Sequence, residues 1–361
     1  MKTRVAIRVL TAVAVLAAFN PSLSRAAEDS GGKKVSEIPI RISYQPAFWA
    51  LPWFIASDKG WWAKVGLKPS LSMFAAGAAQ VAAGASGSWD VGGAGDIPAV
   101  LGAAKYGLLN IAISDKEGAI LSIVASSPEA ASRYKANPSL IAGKDIPATL
   151  NSNGERVAVA CLDRLGAKPG SYRLVNLAPA AINSAVISKR FDLAAVWAPN
   201  TYILESAIGA QVMCTGVDVG LDVTGRLFVT PTFAKENPEA VARFLALYQH
   251  AVEWQKRNRQ ETLEYLKKFY ETVGIKFPDK YLPYEVKDHP FLTFAEQLQT
   301  FKRDSKGESE VHRWSNDVAQ FMVRNGSITA VPAASSYITG RFLEMVERDP
   351  VLKRFATSSD D

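Results

Sequence analysis

From Ile38 onward short apolar runs alternate with longer amphipathic ones, the pattern of an α/β protein with mainly parallel sheets. Ile40–Tyr44 alternates as a first strand, and Pro52 suits the first turn of a helix that ends at Gly60. Leu67–Phe74 reads as a second strand, GAAQVAAGAS as a short helix and Trp89–Ala94 as a third strand. In the helix that follows, Ile97, Val100, Leu101 and Ala104 fall at i, i+3, i+4 and i+7 on one face. Asp96 is expected to cap it, with Pro98 in its first turn and Gly107 at its close. Strands at Leu109–Ile113 and Ala119–Ala125 then lead into the polar stretch SSPEAASRYKANPS, expected to be a crossing between two lobes.

The alternation resumes with strands at Ile146–Leu150, Tyr172–Val175, Leu193–Trp197 and Gln211–Cys214. Helices are expected at Gly154–Leu165, at Pro179–Ser188 and from Thr201. The chain returns near Val223–Thr230. Beyond that it turns almost wholly helical, with Asn237 as N-cap and Pro238 at the first helical position. The expected organisation is a first lobe over residues 37–126, a second over 127–224, and a return to the first, with a helical C-terminal extension, over 225–361. No repeat of 20 to 50 residues interrupts this reading.

The first residues change the count. Lys2, Arg4 and Arg8 precede an apolar run from Val9 to Phe19 broken only by Thr11, then Pro21 and the small-residue stretch Ser22–Ala27. That is the layout of a secretory signal peptide, placed over residues 1–26, so the protein is expected in the periplasm. The net charge of +6 falls to +2 once Lys2, Arg4, Arg8 and Arg25 leave. No block of five or six basic residues remains, so no nucleic acid partner is expected. Cys161 and Cys214 sit in the apolar surroundings VAVACL and AQVMC. That favours two buried thiols over the disulfide that an oxidising compartment permits.

Catalytic constellations are missing. His250, His289 and His312 form no H-x-x-x-H pair, and neither a G-x-S-x-G elbow nor a G-x-x-x-x-G-K-[ST] loop occurs. WDVGGAGDIPAV begins a dinucleotide fingerprint, but Pro98 stands where its last glycine belongs. No enzyme activity, cofactor or metal is therefore expected.

What stands out is polar, small or aromatic residues at the C-terminal ends of expected strands, where open α/β sheets bind ligands. These are Gln45 with Phe48 and Trp49, Gly95 with Asp96, Asn151–Gly154 (NSNG), and Trp197–Asn200 (WAPN). NSNG opens a helix whose free N–H groups and dipole suit an anion, although Ser and Asn are equally the ordinary capping residues. Phe48 and Trp49 either wall a ligand or pack under their loop. Trp61 and Trp62 are read as core.

Several stretches together resemble the solute-binding proteins of ABC importers for nitrate, sulfonate, taurine and related compounds, a group that includes thiamine-pyrimidine binders. They are ASDKGWWAKVGLKPSL, WDVGGAGDIPAV with Asp90, Gly92, Gly95 and Pro98 in place, and the order SYQP, KDIPATLNSNG, FDLAAVWAPNTYILE over Ile38–Thr232. SLIAGKDIPATL matches loosely, with Gly143 and Lys144 in the corresponding places.

The resemblance implies a type II periplasmic binding protein, two lobes on a two-segment hinge, monomeric, closing on a ligand and docking on a membrane permease. It puts Gln45, Phe48, Trp49, Gly95, Asp96, Asn151, Ser152, Asn153, Gly154, Trp197 and Asn200 at the cleft and offers Arg226 as a cationic contact. The cleft loops hold no basic residue, so backbone donors and aromatic walls are expected to bind. The alternatives are a same-fold enzyme, such as a pyrimidine-precursor synthase, or a sensor-associated binder of a pyrimidine or aromatic carboxylate. The synthase pattern needs a cysteine-rich iron motif with a lysine and a histidine in the cleft. Here the two cysteines stand far apart and every histidine lies beyond residue 249.

Overall fold

Strand β1 (Ile38–Tyr44) turns Ile40 and Ile42 into the interior. Helices α1 (Leu51–Asp58) and α2 (Trp61–Lys64) lead from it to β2 (Leu67–Met73), which pairs with β1 in parallel. Between the two helices Gly60 takes φ 69°, a left-handed turn that favours glycine. Helix α3 (Gly77–Ala85) precedes β3 (Val91–Gly95), and α4 (Asp96–Tyr106) precedes β4 (Leu109–Lys116). The computed structural model describes residues 37–360, so the leader expected over residues 1–26 lies outside them. Among the described residues no helix is long and apolar enough to cross a membrane.

The chain then builds a second region from β5 (Leu121–Ala125), α5 (Pro128–Ala136), β6 (Asp145–Ala148), α6 (Asn153–Arg164) and β7 (Arg173–Asn176). Helix α7 (Pro179–Ile187), β8 (Leu193–Trp197), α8 (Asn200–Ile208) and β9 (Gln211–Thr215) complete it. Strand β10 (Thr224–Val229) returns to the first sheet, whose order is β2-β1-β3-β10-β4. The second region holds β8-β5-β9 and the parallel pair β6-β7, with β6 lying against β8.

Two expectations are corrected here. The sheets are mixed, because β10 runs antiparallel to β3 and β4, and β5 antiparallel to β8 and β9. Both strands follow a passage between the sheets and so enter from the opposite end. The polar stretch after Ala125 is no linker but α5, capped by Ser127 and burying Ala130, Ala131 and Tyr134. Its polarity is that of one exposed face, and the chain changes sheet earlier, between Lys116 and Leu121.

After β10 come α9 (Pro231–Glu236), α10 (Pro238–Arg257), α11 (Arg259–Thr272) and α12 (Leu282–Asp288). Asn237 sits at the start of α10 as expected, but its side chain makes no cap bond. Helices α13 (Phe294–Phe301), α14 (Glu310–Arg324), α15 (Arg341–Arg348) and α16 (Pro350–Thr357) end the chain. They are not appended to the first region but finish its core, where α10 brings Phe244 and Tyr248 within 5.6 and 5.7 Å of the Trp53 ring. Trp61 and Trp62 lie in the same core.

The second core is smaller and mostly aliphatic, with Ile123, Ile146, Val157, Leu162 and Leu193. Within it Cys161 and Cys214 form a disulfide, against the reading of two free thiols. Apolar neighbours describe a buried thiol and a buried bridge equally well. What pairs them is that α6 packs on this sheet and brings their Cα atoms to 5.7 Å.

Candidate functional site

Three helices begin at one place. The starts of α3 at Gly77, of α4 at Gly95 to Pro98, and of α6 at Ser152 to Gly154 line a chamber of about 40 Å3. Gln45, Ala47, Trp49 and Trp197 wall it. Helix α3 has no side-chain cap, so its first-turn N–H groups keep their donor capacity, and the dipole of each helix adds positive potential.

Glycine is what allows these ends to meet. A Cβ at Gly77 would stand 2.3 Å from Pro98 Cγ, and one at Gly95 would stand 2.4 Å from Asn153 Nδ2. Gly95, which also lines the chamber, therefore admits a neighbouring amide.

That amide joins the two regions. The Ile97 N–H donates to Asn153 Oδ1 at 2.9 Å, and Asn153 Nδ2 donates to Glu117 Oε2 and, at 3.2 Å, to the Thr224 carbonyl. Helix α6 is thus tied to α4 and to both segments that pass between the sheets. The ordinary capping role in NSNG falls to Ser152, which accepts from the Glu155 N–H. Asn151 takes φ 55° and donates its N–H to Glu155 at 2.6 Å, away from the chamber.

Other expected residues stand behind the chamber or outside it. Asp96 does not cap α4, since Gly95 holds the N-cap position and the Asp96 carboxylate is fully buried. It accepts from the Thr224 N–H at 3.3 Å and pairs with Arg156 at 3.7 Å. Burial raises its pKa, while Arg156 and Arg226 oppose the rise. Arg226, the expected cationic contact, is buried on β10 with its guanidinium 5.9 Å from the Trp314 ring. Phe48 stacks on Phe291 at 5.0 Å and lies 5.1 Å from His289, which does reach the chamber. Asn200 accepts from Asn183 at 2.7 Å in a vestibule outside the chamber.

Glu117 and His289 are chamber residues that the motifs did not reveal. Burial, with the nearby charges of Asp115 and Asp96, pushes the Glu117 carboxyl well above the usual range. Burial lowers His289 to about 4, so its ring is neutral. Nδ1 lies 2.9 Å from the Glu285 carbonyl and must carry the proton, which leaves Nε2 as an acceptor. Neither residue has a local signal, because Glu117 follows a strand end and His289 arrives from the end of α12, far along the chain.

Ile120 and Ala198 separate the chamber from a second cavity of about 260 Å3. Two reciprocal pairs cross the molecule there. Tyr202 of α8 donates to Asp288 of α12 at 3.0 Å, and Tyr281 donates to Glu205 of α8. The two tyrosine rings stack at 5.0 Å.

A family model described as NMT1/THI5 like matches residues 48–262. The taurine-binding periplasmic protein of Escherichia coli is 28% identical over 323 residues, 85% of this chain and 93% of that one. Among solved structures, the periplasmic aliphatic sulphonate-binding protein of Escherichia coli superposes with a TM-score of 0.67 at 19% identity, covering 84% of this chain and 92% of that one. The periplasmic nitrate-binding protein of Synechocystis PCC 6803 gives 0.65 at 14% identity, covering 90% and 92%. The fold is the two-lobed α/β fold of those proteins.

Proposed function

Because the chain belongs to the NMT1/THI5-like family, we propose that it is the solute-binding component of an ABC-type importer. It captures a small anion, of the sulfonate, taurine or nitrate kind, between its lobes in the periplasm and delivers it to a membrane permease. The observation that carries this reading is the meeting of three helix amino ends on one chamber, where the helix dipoles and the uncapped first turn of α3 favour negative charge. The name of the taurine-binding relative agrees with it.

Residues 117–120 and 216–223, which join the two sheets, act as the hinge, and closure shifts the population toward the loaded form. Glu117 tolerates an anion beside it because its environment already favours the neutral acid. Cys161 and Cys214 are bonded to each other, which leaves neither thiol for the iron motif of a synthase.

The test is the melting temperature of the protein with sulfonates, taurine, nitrate, aromatic carboxylates and pyrimidines. A ligand at a hundredfold excess over its Kd adds about 2.7 kcal/mol and raises the midpoint by several degrees. No shift with any of them rejects the proposal.

A further inference from the structure

The chamber does not end at its aromatic wall. Gln45, Ala47 and Trp197 are shared with an outer vestibule of about 550 Å3, against about 40 Å3 inside. Since one water needs roughly 10–15 Å3 of such space, the inner chamber holds a head group of a few heavy atoms. Anything larger must extend outward.

The chemistry changes along that path. Inside are helix ends, amides, the Glu117 carboxyl and the His289 imidazole, set against Trp49, Pro98, Ile120 and Leu121. The vestibule is lined chiefly by aliphatic carbon, with Met73, Pro179, Ile203, Val273 and Ile275 prominent, and Met73 is 51% exposed. Its lining includes the Asn183–Asn200 pair, one cation, Lys276, and no carboxylate. An exposed apolar surface continuous with a polar binding chamber is the shape of a site for a molecule with a polar head and an apolar body.

Resting on the anion reading above, we infer that the ligand is an organic anion whose head fills the chamber and whose apolar body, several carbons long, lies in the vestibule. Met73, Ile203 and Val273 then set its specificity. A taurine-like ammonium would lie beside these aliphatic groups and Lys276, with no carboxylate in the vestibule to receive it.

Calorimetric titration with methane-, propane- and hexanesulfonate and with taurine tests this. Affinity is expected to rise about fourfold for each added methylene, and propanesulfonate to exceed taurine at least tenfold. Ile203→Asp and, separately, Val273→Asp are expected to cut the gradient by more than half. Circular dichroism confirms that each variant is folded. A flat series, taurine binding more tightly than propanesulfonate, or an unaltered gradient in both folded variants overturns the inference. In those cases binding of methanesulfonate still leaves the anion reading standing. Absence of binding by every sulfonate, with a melting shift from none of the other classes, overturns that reading as well.

Discussion

Trp53 and Cys161 represent two ways of closing a core. In the first lobe Trp53 is surrounded by Trp49, Phe244 and Tyr248 at 5.6 to 5.8 Å, and helices from the end of the chain supply much of the enclosure. In the second lobe aliphatic side chains and Tyr134 make a smaller core, and a covalent bond joins its helix α6 to its edge strand β9. A small body buries proportionately less of its surface, so the same number of kcal/mol must come from fewer contacts or from restricting the unfolded chain. The second lobe is the less self-sufficient of the two, and it carries the helix that ties the cleft together.

Removing the bridge breaks this comparison most directly. Cys161→Ala with Cys214→Ala opens a loop of 53 residues, for which loop-closure entropy gives about 4 kcal/mol. Hydrogen exchange is expected to accelerate in β5, α6 and β9 while α10 keeps its protection. Equal loss in both regions would show that the lobes unfold as one and that the contrast is misplaced.

The response to pH sharpens the first lobe's side. Burial raises Glu285 to about 8 and Asp115 to about 7, so the unfolded chain releases protons that the folded chain retains. Stability therefore falls as pH rises from about 4.5 through 8 on their account. His289, lowered to about 4, acts with the opposite sign, losing stability as pH falls from about 6.5 to 4. Above pH 6.5 only the decline remains. Urea midpoints at pH 6.5 and 8.5 should differ clearly, and Glu285→Gln should reduce the difference to the part due to Asp115 and Glu117.

Gly95→Ala tests the contact between the lobes. Its new methyl meets the Asn153 amide and should cost about 1–3 kcal/mol of closure, read as a 5- to 150-fold loss of ligand affinity. Unchanged affinity would mean that α4 and α6 need not meet. The smallest effect expected is that of Ser152→Ala, about 1 kcal/mol from the lost cap of α6 in thermal unfolding.

Much of this architecture was legible where the signal is local. The stripe from Ile97 to Ala104 and Gly107, with φ 70°, specify α4 almost to its ends. NSNG opens a helix because Ser152 can cap it, and that also located part of the chamber. Strand direction was not legible, since β5 and β10 alternate like any strand and their sense depends on where the chain arrives from. The pairing of Cys161 with Cys214 and the arrival of Glu117 and His289 at the chamber are likewise products of tertiary packing. Arg226, offered by sequence position as a cationic contact, is buried on β10 and does not line the chamber.

The Cys161–Cys214 bridge also makes the second lobe's stability a matter of compartment. Thiols stay reduced in the cytosol and oxidise once a chain has been exported. Where thiols stay reduced, the lobe that supplies α6 lacks its staple. It gains that staple only where the two thiols oxidise.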